Sequence, residues 1–201
     1  MSSAKWATEA SSLADNLYLK VDSYAMKRLA LTLLFIGIGG LYIPLLAQEE
    51  NTDPKAYLYI FLEEECPMCQ YYSLTLRELH DTYAKQGIQF VGLFPFSDSR
   101  LDKIQAFKEK YQFPFELKLD ENQALARLFE ARITPEVVLT NAEGEIKYRG
   151  RIDNAYDRPG RRRRVITQHE LKDAMDAILA GRDPEISRTQ AVGCFISFQN
   201  P

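Results

Sequence analysis

Residues 56–62 form an unbroken apolar run, Ala56-Tyr57-Leu58-Tyr59-Ile60-Phe61-Leu62, which leads through Glu63-Glu64-Glu65 into Cys66-Pro67-Met68-Cys69. The run is short, aliphatic and aromatic, and bounded upstream by Asp53-Pro54, so it reads as a strand buried on both faces. Proline suits the first helical position because its missing N–H would have no partner there. Pro67 therefore predicts a helix start with Cys66 at the N-terminus. Cys69 follows nearly one turn later, close enough to close a disulfide ring with Cys66. Two thiols at a strand-to-helix junction are the chemistry that the rest of the chain must position.

The chain of 201 residues has three cysteines, too few for a disulfide scaffold, and the odd count leaves Cys194 outside a Cys66–Cys69 pair. A hydrophobic share of 46% supports an ordinary core, and a formal net charge of -3 gives no basis for nucleic acid as a partner. The run Arg161 to Arg164 is the local exception. It follows Asp157-Arg158-Pro159-Gly160, a loop composition, and charge runs in loops are usually solvated.

Residues 29–46 carry no charge and follow Met26-Lys27-Arg28. A basic start, an apolar core, a break at Pro44 and Ala47 before Gln48-Glu49-Glu50 describe a signal peptide over residues 26–47, with residues 1–25 as an upstream extension. The alternative is an uncleaved anchor, because a run of this length nearly spans a bilayer and Lys27 and Arg28 would hold residues 1–25 in the cytoplasm as a tail. The residues favour cleavage. Both readings place the remainder of the chain in the periplasm or another extracytoplasmic compartment, with membrane contact only through an uncleaved segment.

Beyond the linker, Leu74, Leu76, Leu79 and Tyr83 recur at helical spacing from Pro67 to Lys85, and Gly87 marks the stop. Ile88 to Pro95 is a second strand. Ser99 is placed to cap a helix running to Tyr111, Phe115 to Leu119 is a short strand, and Asn122 to Ala131 a small helix. Val137 to Thr140 and Glu145 to Arg149 are strands joined by the turn Asn141-Ala142-Glu143-Gly144. Thr167 and Glu170 form a capping-box pair for a last helix that stops at Gly181. Strands alternating with helices and closing with a hairpin predict an α/β fold with a mixed sheet.

In this order, the strand, Cys66-Pro67-Met68-Cys69, Thr134-Pro135 before a strand and the Glu143-Gly144 hairpin resemble the thioredoxin-like redoxins, close to the alkyl hydroperoxide reductase and thiol-specific antioxidant group. The ending is similar to a peroxiredoxin-like subgroup: Tyr148-Arg149-Gly150-Arg151-Ile152-Asp153, Glu170-Leu171-Lys172-Asp173-Ala174, Leu179-Ala180-Gly181 and Val192-Gly193-Cys194. The resemblance implies a thioredoxin-like fold, a mixed central sheet flanked by helices, with a redoxin domain over residues 48–182 and a tail, 183–201, carrying Cys194. It also implies that Thr134-Pro135 is a cis bond facing the thiols. Backbone at Ile133 and Thr134 would then pair with a substrate chain.

The expected chemistry is attack by Cys66 on a protein disulfide and resolution by Cys69, with an upstream thiol donor and no cofactor. Cys194 is either a packed terminal cysteine or an alternative resolving thiol, since it lies thirteen positions beyond Gly181 and an extended chain of that length reaches roughly 40 Å. A helix N-terminus favours the thiolate by roughly 0.3 to 1 kcal/mol, whereas Glu63, Glu64 and Glu65 oppose it. A carboxylate about 7 Å away costs roughly 0.6 kcal/mol in water and ~2.4 kcal/mol at an effective dielectric of about 20. The direction of the Cys66 shift stays open, and the glutamates argue against a strong oxidant.

Two other function classes remain. A thiol peroxidase would use Cys66 on a peroxide, although Glu63 stands where the resembling enzymes have threonine, and Arg149 or Arg151 would have to support the thiolate. A non-catalytic binding domain would use the arginine run to dock an acidic partner. No metal is expected. The chain lacks a second Cys-x-x-Cys, and His80 would stand about 16 Å along the helix from Cys69.

Overall fold

Side chains alternate across β1 (Ala56–Phe61), and this alternation sets the layers of the fold. Ala56, Leu58 and Ile60 point to one fully buried face; Tyr57 and Tyr59, on the other, are half-buried until Phe61 closes it. The expectation of burial on both faces is thus met only at the C-terminal end of the strand. A computed structural model describes residues 53–96 and 99–198, within a compact unit that spans Thr52–Pro201. The segment 26–47, with the extension before it, lies outside the described residues. Among the described residues no helix is long and apolar enough to cross a membrane.

After β1 come α1 (Pro67–Tyr83), β2 (Ile88–Phe94), α2 (Leu101–Tyr111), β3 (Glu116–Leu119) and the short α3 (Ala124–Leu128). The second half holds β4 (Ile133–Thr134), β5 (Glu136–Asn141), β6 (Ile146–Gly150), β7 (Tyr156–Arg158), β8 (Arg161–Arg162), α4 (Glu170–Leu179) and β9 (Cys194–Phe195). Five strands form the main sheet in the order β3-β2-β1-β5-β6. β1 runs parallel to β2, and β2 to β3, while β5 is antiparallel to both β1 and β6. This is the mixed α/β sheet of a thioredoxin-like fold, with β1 at its centre. β4 pairs with β9 outside it, and β7 with β8.

One face of the sheet packs Leu58, Ile60, Val137 and Leu139 against Leu76 of α1, Ile104 and Phe107 of α2, and Leu171 and Met175 of α4. The other packs Phe61, Val91, Leu93 and Val138 against Ala126, Phe129 and Ile196. Ile196 belongs to the tail. That tail is fastened further back as well, where Arg149 N–H donates to Ser187 O at 3.0 Å and Thr189 N–H to Arg149 O at 2.9 Å.

Two expected caps are made differently. Ser99 does not cap α2; its hydroxyl donates to the Glu64 carboxylate at 2.9 Å, and Arg100 occupies the cap position. Thr167 does not cap α4, whose cap position is His169; the Thr167 hydroxyl instead accepts from Asn154 Nδ2 at 2.8 Å. In both cases a partner distant in sequence outcompetes the local backbone.

Candidate active site

Cys66 is the cap residue of α1, in extended conformation, with Pro67 at the first helical position. The chain enters the helix straight from the C-terminal end of the central strand, so both thiols sit over the edge of the core. Cys66 is 1% exposed and Cys69 0%, and all three cysteines are free thiols. The loop before the helix is tied down by Gln70 Nε2, which donates to Glu64 O at 3.0 Å. One turn on, Tyr72 OH donates to the buried Asp153 at 2.6 Å and joins the helix to the segment after β6.

Facing Cys66 is β4. The Thr134–Pro135 bond is cis, as the resemblance implies, and the Thr134 carbonyl oxygen lies 3.4 Å from Cys66 Sγ. Glu136 holds this turn from within: its buried carboxylate accepts from Arg132 N–H at 2.8 Å and Ile133 N–H at 3.2 Å. The backbone of β4 is already paired. β9 lies antiparallel along it, with Thr134 opposite Cys194 and Ile133 opposite Phe195, and Ile196 N–H donates to Arg132 O at 2.9 Å. The approach needs glycine before the cysteine, because a Cβ on Gly193 would run into the Thr134 carbonyl oxygen. Cys194 Sγ thereby stands 2.9 Å from Cys66 Sγ and donates to it.

Hydrogen bonding decides the question that the glutamates left open. The Cys69 thiol, donating to Cys66, is the largest influence and lowers its pKa; burial opposes this, and Cys194 together with the backbone N–H groups of Cys69 and Met68 adds to the lowering. The net result is a Cys66 value near the carboxylate range, about 5, so the sulfur is a thiolate at neutral pH. Burial pushes the Cys69 thiol well above its ordinary value, and the neighbouring Cys66 raises it further. Cys194 is pushed up to about 12, first by burial, then by Cys66 and by Glu63. One thiolate thus accepts from two protonated thiols. A stabilised thiolate favours the reduced form, which moves the pair toward the oxidising side of what the glutamates implied.

The three glutamates have separate surroundings. Glu63 bears on Cys194, Glu64 is held by Ser99, and Glu65 is exposed. Oxygen of Glu63 and sulfurs of Cys66 and Cys194 lie within 4.8 Å of one another, a three-donor group short of the four ligands a structural zinc takes. His80 packs instead against Phe90 and Phe115, with ring centroids 5.2 Å and 5.6 Å away. Neither arginine proposed to support the thiolate is committed to it. Arg149 donates to Phe129 O at 2.6 Å and pairs with Glu130, and Arg151 pairs with the buried Glu170. In the arginine run, Arg162 lies over the Tyr71 ring at 5.2 Å and Arg161 pairs with Asp157 at 3.5 Å. Glu136 was not singled out by sequence reasoning; an acidic residue between Thr-Pro and the apolar run Val137-Val138-Leu139 was the available signal.

A family model described as the AhpC/TSA family matches residues 47–149, more than half of the chain. The chain belongs to the AhpC/TSA family. Within the matched segment lie the thiol pair, the cis bond and β1 to β5, so family membership and site geometry concern the same residues. The curated Peroxiredoxin Bcp of Bacillus subtilis (strain 168) is 30% identical over 73 residues, which are 36% of this chain and 45% of that protein. The chain therefore spans less than half the length of that relative. Among solved structures, a hypothetical protein from Sinorhizobium meliloti 1021 is 27% identical with a TM-score of 0.65, covering 74% of this chain and 82% of that one. An uncharacterized conserved protein from Geobacillus kaustophilus is 24% identical with the same TM-score of 0.65, over 73% and 79% of the two chains, a likeness of fold. Cys194 and β9 lie beyond the matched family segment, in the part of this AhpC/TSA chain that closes the site.

Proposed function

We propose that this protein is an exported thiol–disulfide oxidoreductase with Cys66 as nucleophile and Cys69 as resolving thiol. The observation that carries the reading is Cys66 at the cap of α1 facing the cis Thr134–Pro135 turn, with Cys69 fully buried one turn away. Cys66 attacks one sulfur of a protein disulfide; a Cys66–substrate bond forms, the substrate's own S–S bond breaks, and the departing thiolate takes up a proton. Cys69 then loses its proton and attacks Cys66, closing the Cys66–Cys69 disulfide and releasing the second substrate thiol. Two electrons pass to the substrate, and an external dithiol returns them. Export is supported by the basic and apolar segment 26–47.

A second reading is a thiol peroxidase, favoured by the partial similarity to a peroxiredoxin. Cys66 would attack a peroxide oxygen, release water or an alcohol and become a sulfenic acid, which a neighbouring thiol condenses to a disulfide with loss of water. The arginines engaged elsewhere and Glu63 beside the thiols weigh against it.

Dithiothreitol-driven reduction of insulin disulfides, measured beside hydrogen peroxide consumption, separates the two. The reductase reading expects insulin reduction that Cys66→Ser abolishes, with peroxide turnover near background. Peroxide turnover lost in Cys66→Ser, without insulin reduction, would replace it by the peroxidase reading.

A further inference from the structure

The β4 edge is a place where an incoming chain could add as a strand, yet the chain's own tail lies there. β9 pairs with it over only two residues and takes no part in the five-stranded sheet. Its side chains do not form a buried strand. Phe195 is 78% exposed, Cys194 is aimed at the Cys66 thiolate from the rim of the core, and full burial comes only with Ile196, just after the strand. A packing role would account for Ile196 but not for glycine pressed onto the Thr134 carbonyl and a thiol delivered to the nucleophile. Those two features are what a bound cysteine-containing substrate would need.

We propose that β4 is a binding edge for extended peptide segments in which glycine precedes the reacting cysteine, and that Val192–Phe195 occupies it as an intramolecular substrate mimic that the true substrate displaces. This rests on the thiol–disulfide reading of Cys66. The glycine requirement follows from the close approach: any larger residue ahead of the cysteine meets the Thr134 carbonyl and lifts the strand away. Displacement leaves the main sheet intact, because β9 is bonded to β4 and not to it. When a substrate disulfide takes the position of Cys194, Cys66 attacks its cysteine sulfur, the partner thiolate leaves and is protonated, and Cys69 completes the exchange from the buried side. Until then the tail keeps the thiolate covered, which protects it from small oxidants in an oxidising compartment.

The test uses the reduced full-length chain and two readouts. The first is alkylation of Cys66 by iodoacetamide, followed by peptide mass spectrometry. Gly193→Ala should accelerate it by about ten-fold or more because the strand is expelled, whereas Cys194→Ser should leave Cys66 slow because the strand stays docked. The second is release of thionitrobenzoate from its mixed disulfide with the peptide Ala-Val-Gly-Cys-Phe-Ile, against the same peptide with valine in place of glycine. The glycine peptide should react about ten-fold faster, and faster still with Gly193→Ala protein. Unchanged alkylation in Gly193→Ala, or equal rates for the two peptides, overturns the proposal. Absence of thionitrobenzoate release from every protein, with accelerated alkylation in Gly193→Ala, would instead reject the oxidoreductase reading while the tail's occupancy stands.

Discussion

At the scale of single residues, the site turns on which sulfur holds the negative charge. Donation from Cys69 and Cys194 lowers Cys66 to about 5 against about 8.5 for an ordinary thiol, so its thiolate is fully formed above pH ~7 and is lost as pH falls through the lowered value. The ultraviolet absorbance of the thiolate, taken as wild type minus Cys66→Ser, should titrate near that lowered value; an inflection near the ordinary thiol value would contradict the hydrogen-bond account. Glu63 should matter elsewhere. Glu63→Gln removes a negative charge that raises Cys194, so Cys194 should ionise at lower pH while the Cys66 titration barely moves. A Cys66 shift as large as that of Cys194 would restore the role that sequence reasoning gave to the glutamate run. That run was legible as charge near a thiol. What it lacked was direction, since three adjacent carboxylates point three ways and only the folded loop sends Glu64 to Ser99 and Glu63 to Cys194.

Among the elements, β1, the helix start at Pro67 and the hairpin of β5 and β6 could be read from sequence because each is specified locally, by an apolar run, a proline or a turn composition. The β4–β9 pair could not. Two-residue strands have no period to detect, and their partners stand some sixty positions apart in the chain. Ser99 and Thr167 misled for the opposite reason, offering a local cap that Glu64 and Asn154 claimed instead. The turn leading into β4 depends on Glu136, which accepts two backbone N–H groups from a buried position. Glu136→Ala leaves both donors without that partner and should destabilise the fold by about 2 kcal/mol, read from denaturant unfolding with Cys66 reactivity followed in parallel. A loss below about 0.5 kcal/mol would mean that water replaces the carboxylate at no cost.

For the molecule as a whole, fold class was the most legible property, because strand–helix alternation and the order of motifs each point to the same mixed sheet. The tail was less so: its cysteine was visible, but its docking onto β4 requires a close approach that only Gly193 permits. Export belongs to this scale too. Lys27-Arg28 followed by the uncharged residues 29–46 should deliver the C-terminus outside the cytoplasm, so an alkaline phosphatase fused after Pro201 should be active. An inactive phosphatase together with a fluorescent cytoplasmic-type fusion would remove the export claim.

The proposed function stands or falls on Cys66 carrying the exchange and Cys69 releasing it. Protein carrying both Cys69→Ser and Cys194→Ser, mixed with oxidised insulin and mapped by mass spectrometry, should accumulate a stable mixed disulfide at Cys66. Cys69→Ser alone should resolve that adduct more slowly, through a Cys66–Cys194 bond that forms when the tail returns to β4, where the two sulfurs stand 2.9 Å apart. Adducts that survive Cys66→Ser and vanish in the Cys69→Ser protein would contradict the account.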